Sequence, residues 1–141
     1  MALLDEIGTR LSTQSIASSS AVSGWLLVLS HMPDSTAMQD KVVALTETPG
    51  WPPMGRVELD YPGLQVRVRG ESMRVGSSAY TEGRAKIEEV KLELHGLTPG
   101  TYSGRYYAGV WAEQEPYFLE IDSEHRPHWV CNFRALRSRT T

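Results

Sequence analysis

The sequence predicts an α+β fold, a largely antiparallel sheet of four to five strands with two helices packed on one face. Three observations carry this expectation. Apolar residues recur at helical spacing near the N-terminus and again over residues 79–95. Residues 64–69 alternate apolar and polar with period two, as a half-buried strand does. In the last third, strand follows strand with no helix between, which argues against a doubly wound parallel sheet. The 141 residues suit one domain over 1–141, large enough to bury a core without disulfides or metals.

Leu4, Ile7 and Leu11 lie on one helical face, with Asp5 and Glu6 at the end where acids complement the helix dipole. A short amphipathic helix is expected over 3–11. The Ser- and Ala-rich run 12–23 reads as a loop. Residues 24–29 form a short apolar segment bounded by Ser and Pro, read as a buried strand with helix the weaker alternative. After the polar connection 31–41, residues 42–47 make a second strand. Residues 48–53, with three prolines and a glycine, are expected to break regular structure, and 61–63 reads as a turn. Along 64–69, Leu64, Val66 and Val68 face the core. Gln65, Arg67 and Arg69 face water or a partner.

Ser77 and Ser78 precede the second helix, 79–95. Its stripe is Tyr80, Ile87, Val90 and Leu94, with Leu97 beyond the end. Gly83 interrupts the stripe at a cost of up to about 1 kcal/mol in helix propensity, which close packing on the sheet would explain. Gly96 stands where a helix C-cap glycine belongs. Residues 105–112 alternate Tyr106, Ala108 and Val110 with Tyr107, Gly109 and Trp111. Segments 117–121 and 128–135 flank a polar turn at 122–127 and read as a hairpin, with Trp129, Cys131, Phe133 and Ala135 on the core side. The basic tail 136–141 is expected to fray.

A net charge of -3 argues against a general nucleic-acid binder, which needs a basic excess against phosphates. One cysteine, Cys131, excludes a disulfide framework and a cysteine-based zinc cluster, and fits a reducing cytoplasm. The apolar stretch 25–29 falls far short of the roughly 18 residues of a membrane span. Acids near the N-terminus, where a signal peptide carries Lys or Arg, suggest a protein that is not exported.

No catalytic constellation emerges. In His125-x-x-His128-x-x-Cys131, residues three apart on a strand face opposite sides, so His128 and Cys131 should diverge rather than share a metal. Gly70-Glu71-Ser72-Met73-Arg74 lacks the second glycine and the strand-to-helix context of a nucleophile elbow. Asp122 and Glu124 lie in a polar turn where nothing would raise a carboxyl pKa. Charge is more informative. Glu113, Glu115, Glu120, Asp122 and Glu124 form an acidic stretch, and Arg126, Arg134, Arg137 and Arg139 a basic end. Opposite patches on one subunit suit head-to-tail contacts; the alternative is a solvated surface. Trp51, flanked by prolines, is either an anchor for a partner or folded back on the sheet.

Several segments resemble, in order along nearly the whole chain, a phage minor capsid family whose members look like tail terminators of long-tailed phages. They are Ala44-Leu45-Thr46-Glu47-Thr48-Pro49-Gly50 with Pro52-Pro53, Tyr61-Pro62-Gly63 running into 64–69, Tyr80-Thr81-Glu82-Gly83-Arg84-Ala85-Lys86, and Leu94-His95-Gly96-Leu97. Gln114, Pro116, the turn 122–127 and Asn132-Phe133 continue the match. The chain departs at His125, where a glycine is expected, at Gly83, where alanine is usual, and over 12–23. The resemblance implies a non-enzymatic virion protein, assembled in the host cytoplasm, forming a hexameric ring that stops tube polymerisation and presents a surface to the head. Implied partners are further copies of itself, the tail tube protein and a head-closure or connector protein, with DNA passing through without specific binding. No cofactor, metal, catalytic residue or membrane contact is implied. Interaction candidates are Gln65, Arg67 and Arg69, with the loop Glu47, Thr48, Pro49, Gly50, Trp51, Pro52 and Pro53. Alternatives are a head-closure or neck subunit, or a small hydrolase or ligand-binding module, which would need a pocket of convergent polar groups.

Overall fold

The computed structural model describes residues 2–20, 24–33, 39–52, 59–74 and 78–139. The chain runs α1 (Leu3–Thr13), β1 (Leu26–Val28), β2 (Val42–Trp51), β3 (Leu59–Arg69), α2 (Ala79–Leu94), β4 (Gly100–Tyr102), β5 (Arg105–Ala112), β6 (Tyr117–Ile121) and β7 (Pro127–Ser138). The sheet has seven strands in the order β1-β2-β3-β7-β5-β4, with β6 also paired to β7. Every pairing is antiparallel except β1 with β2. The α+β class is as expected, but the strand count exceeds four to five. β1 lies within the expected strand 24–29; β4, with three residues, is too short to show a period. β5 and β6 lie end to end along one side of β7, β5 against Phe133 to Arg137 and β6 against Pro127 to Val130.

Both helices bury into one cluster on one face of this sheet. Leu3, Ile7 and Leu11 of α1 and Ile87, Val90 and Leu94 of α2 meet Leu27, Val43, Leu45, Leu64, Val66, Val68, Trp129, Cys131 and Phe133. The period-two reading of β3 and the core face of β7 therefore hold. Gly83 is packed as its position in the stripe demanded: a Cβ there would stand 2.9 Å from Cδ1 of Trp129. Gly96 caps α2 at φ +74.

Several boundaries differ from expectation for identifiable reasons. β2 continues through Pro49 and Gly50 to Trp51, and Tyr61-Pro62-Gly63 lies inside β3 rather than in a turn. A register shift between Thr48 and Trp51 leaves Pro49 outside the ladder, so its missing N–H costs no bond. Gly63 lies against Thr48 with no room for a Cβ, so the strands close together where a larger residue would splay them. In β5 a shift between Tyr107 and Gly109 breaks the alternation, and Tyr107 and Val110 both turn to the core. The basic tail does not fray at once: β7 carries it to Ser138. Within 12–23, Ile16 and Ala17 are buried and Ser18 bridges to Leu26; residues 21–23 lie outside the described residues.

Candidate interaction surface

The helices cover one face of the sheet. On the other, β2, β3 and β7 set polar side chains side by side. Gln65 donates to Asn132 Oδ1 at 3.0 Å. Arg67 Nε donates to His128 Nδ1 at 3.0 Å, and its Nη2 to Glu120 Oε1 at 3.0 Å. Because Nδ1 accepts, the proton of the neutral imidazole belongs on Nε2, which lies 2.9 Å from Asp122 Oδ2. Asp122 also accepts the Arg126 guanidinium at 2.9 Å and the backbone N–H groups of Glu124 and Arg126. Burial alone would raise the Asp122 pKa; the bonds from His128 and Arg126 outweigh it and lower it to about 2. His128 moves down, because burial opposes its charged form and Arg67 and Arg69 repel it, against the pull of Asp122. Gln65, Arg67, Glu120, Asp122 and His128, with Ala44, Thr46, His31 and Met32, line a depression of about 300 Å³.

Arg69 does not share that surface. It is fully buried, and its guanidinium donates to the carbonyl oxygens of Pro33, of Gln39 at 2.9 Å and of Asp40 at 2.9 Å. Alternation placed it on the outer face correctly, but the carbonyls of Pro33, Gln39 and Asp40 from the 31–41 connection close over it there. Residues 34–38 of that connection lie outside the described residues. Gln65 and Arg67 are half-buried on the face itself.

The second group of interaction candidates sits at the far end of the β2–β3 hairpin. Glu47, Pro49, Gly50, Trp51 and Pro52 are exposed and Thr48 is half-buried; Pro53 lies outside the described residues. Trp51 is both supported and exposed. Its ring lies 5.5 Å from Tyr61 and 6.3 Å from Trp111, with Arg134 4.7 Å above it, yet 54% of the residue remains accessible. The two groups are therefore separate regions, not one site.

The acidic and basic blocks are paired within one chain. Glu113 pairs with Arg134, Glu115 with Lys91, Glu120 with Arg67, Asp122 with Arg126 and Glu124 with Arg74. Arg137 reaches Glu6, and Arg139 reaches Asp60. Each has a partner in its own chain, and Arg67 and Arg69 need no neighbouring copy to relieve their repulsion. His128 and Cys131 diverge: Cys131 is buried among the core side chains, its Sγ 3.4 Å from Gln114 O. Ser72 donates to Glu124 O at 2.9 Å, a bond that ties two loops together.

Two features escaped the sequence reading. Glu6, taken as a helix-end acid, is a buried hub between Tyr107, Arg105 and Arg137. β6 is exposed along its whole length; its Tyr-Phe-Leu-Glu-Ile run shows no clean alternation, and that was the available signal.

Residues 7–139 match the family described as bacteriophage tail terminator protein. The chain belongs to this family. It is a structural phage tail protein and virion component, not an enzyme. A chain from the structure "Virion of native gene transfer agent (GTA) particle" is similar in fold, with a TM-score of 0.68 and 13% identity over 97% of this chain and 95% of that one. No curated protein matches significantly. Among the described residues no three His, Cys, Asp or Glu side chains gather as metal ligands, and no helix is long and apolar enough to cross a membrane.

Proposed function

We propose that this chain, acting as one domain over 1–141, forms a ring that caps the tail tube at the head–tail junction. The tail terminator family match over 7–139 carries the reading. The ring is a hexamer by resemblance. It assembles in the host cytoplasm, contacts further copies of the chain, the tail tube protein and a head-closure or connector protein, and lets DNA through without specific binding. A stack of tube rings presents the same surface after every addition, so only a different subunit at its end stops growth. Gln65 and Arg67 on the open sheet face, and residues 47–53 at the hairpin end, are the proposed contact regions. Arg69 serves them by holding the 31–41 connection in place. Trp51 suits a docking anchor because a supported aromatic loses little side-chain freedom on binding.

A nonsense mutant viewed by electron microscopy tests the role. Loss of a terminator leaves full heads beside free, overlong tails. Free tails of normal length would instead assign the chain to head closure, and normal particles would refute a junction role. The purified chain is expected to be monomeric when dilute, because assembly on a tube end supplies the local concentration. A ring that resists dilution would contradict that.

A further inference from the structure

The side of the sheet formed by β5 and β6 is treated unevenly. β4 covers β5 at residues 105–107. Further on, Gly96 N–H donates to Val110 O at 2.8 Å and Ala112 N–H donates to His95 Nδ1 at 2.8 Å, so the end of α2 caps the edge. Beyond Pro116 the protection stops. β6 pairs with β7 alone, and among the described residues nothing hydrogen-bonds its outer edge. Its side chains do not screen it: Tyr117, Phe118, Leu119 and Ile121 are 37–47% exposed, and Tyr80, 5.3 Å from Phe118, extends the patch. An unpaired strand edge with an apolar surface is a template for another strand.

We infer that in the proposed ring the outer edge of β6 is the seat for an extended segment of the next copy, which continues the sheet. The inference rests on the ring reading. Area supports it. Five side chains of about 200 Å² each, two fifths exposed, give roughly 400 Å² of apolar surface, divided between the two faces along this edge because Tyr117 and Phe118, paired with Val130 and Trp129, point opposite ways. A stable contact takes about 800 Å² per partner, with an apolar centre and a polar rim. The patch supplies the centre, and Arg84, Glu115 and Glu120 stand around it. Closure supports it too. If every copy covers the β6 of its neighbour, a closed ring leaves no edge open. The segment received is not β6 itself, because β6 on β6 is two-fold and closes a dimer. Before assembly the register shift between Phe118 and Glu120 makes the free edge irregular, which disfavours indiscriminate strand stacking.

The test places photoreactive benzoylphenylalanine at Leu119 in phage-infected cells, followed by irradiation of purified virions. Covalent dimers of this chain, joined to a residue outside β6, are expected. Capture of a different virion protein, a β6-to-β6 link, or no capture would overturn the inference. An amine-reactive cross-linker on the same virions separates the two readings. A ladder of multimers without Leu119 capture removes the β6 assignment and keeps the ring, whereas no ladder removes the ring. Independently, Leu119→Lys should melt within about 2 °C of the parent, as for a surface change, and give overlong free tails. Normal tails with this variant would also overturn the assignment.

Discussion

Replacing Glu6 with glutamine should cost the fold a large part of its stability. The Glu6 side chain is fully buried. It accepts Tyr107 Oη at 2.6 Å and Arg137 Nη1 at 2.7 Å, and Arg105 Nε lies 3.5 Å away. One carboxylate thus neutralises two guanidinium groups that are only 13% and 16% exposed. Glutamine keeps the shape and removes the charge, leaving two poorly solvated cations side by side. Breaking a buried pair by removing one partner costs about 3–5 kcal/mol. Arg105 keeps bonds to the carbonyl oxygens of Ser138 and Arg139, which favours the low end, about 3 kcal/mol. Against a total of about 5–15 kcal/mol that is severe, and at about 3 °C per kcal/mol for a chain of this size it lowers Tm by about 10 °C. Urea unfolding followed by circular dichroism measures it, with an unchanged m-value showing that native compactness is kept. A loss below about 1 kcal/mol would refute the account. Tyr107→Phe removes one hydrogen bond and no charge, so its cost should be smaller, about 1.5–3 kcal/mol. Burial, then the Glu6 carboxylate, push the Tyr107 pKa well above its ordinary 10. The unfolded state therefore loses that proton first, and stability should fall as pH rises past about 10.

On the acid side the sign reverses. The folded pKa values of His128 and Asp122 both lie below their ordinary values, so the unfolded chain takes up protons first and stability should decline below pH about 6.5 and again from about 4 toward 2. In pH-dependent urea titrations, Asp122→Asn should flatten the lower limb. His125 is a non-glycine residue at φ 59. His125→Gly relieves that left-handed strain and should stabilise by about 1 kcal/mol, read as a higher urea midpoint. Gly83→Ala gains helix propensity yet drives a Cβ into Trp129; overpacking costs about 1–3 kcal/mol, so the variant should melt lower. Burial raises the Cys131 thiol pKa to about 11, and a maleimide should label it only on unfolding; rapid labelling of the native chain would contradict the β7 packing.

Local pattern showed in the sequence wherever one element decided the outcome. β3 alternates cleanly because both of its neighbours keep register along 64–69, and α2 shows its stripe, its tight glycine and its cap. What did not show depends on distant segments. Arg69 sits on the outer face by period, but the carbonyls that enclose it come from residues about 30 positions earlier. Glu6 looks like an exposed helix-end acid until Arg137, 131 residues away, is folded onto it. The alternation of β5 misleads because a register shift at Tyr107 can be seen only against β7. The pairing of the acidic and basic blocks within one chain did not show because sequence does not reveal which charges meet. Pro49 suggested a break because its tolerance depends on a bulge.

The position of β7 has a consequence for synthesis. It joins the β3 side of the sheet to the β5–β6 side, yet it follows all the other described strands in chain order. Until residues 127–138 emerge, β3 lacks one neighbour, β5 and β6 have nothing to align along, and α1 has no Arg137 to close over Glu6. Loop closures this long must come before the contacts that reward them. The nascent chain should therefore stay incomplete until β7 is out, and a chain that stops before β7 should not fold into a smaller version of this sheet. A virion part is thereby made in all-or-none units.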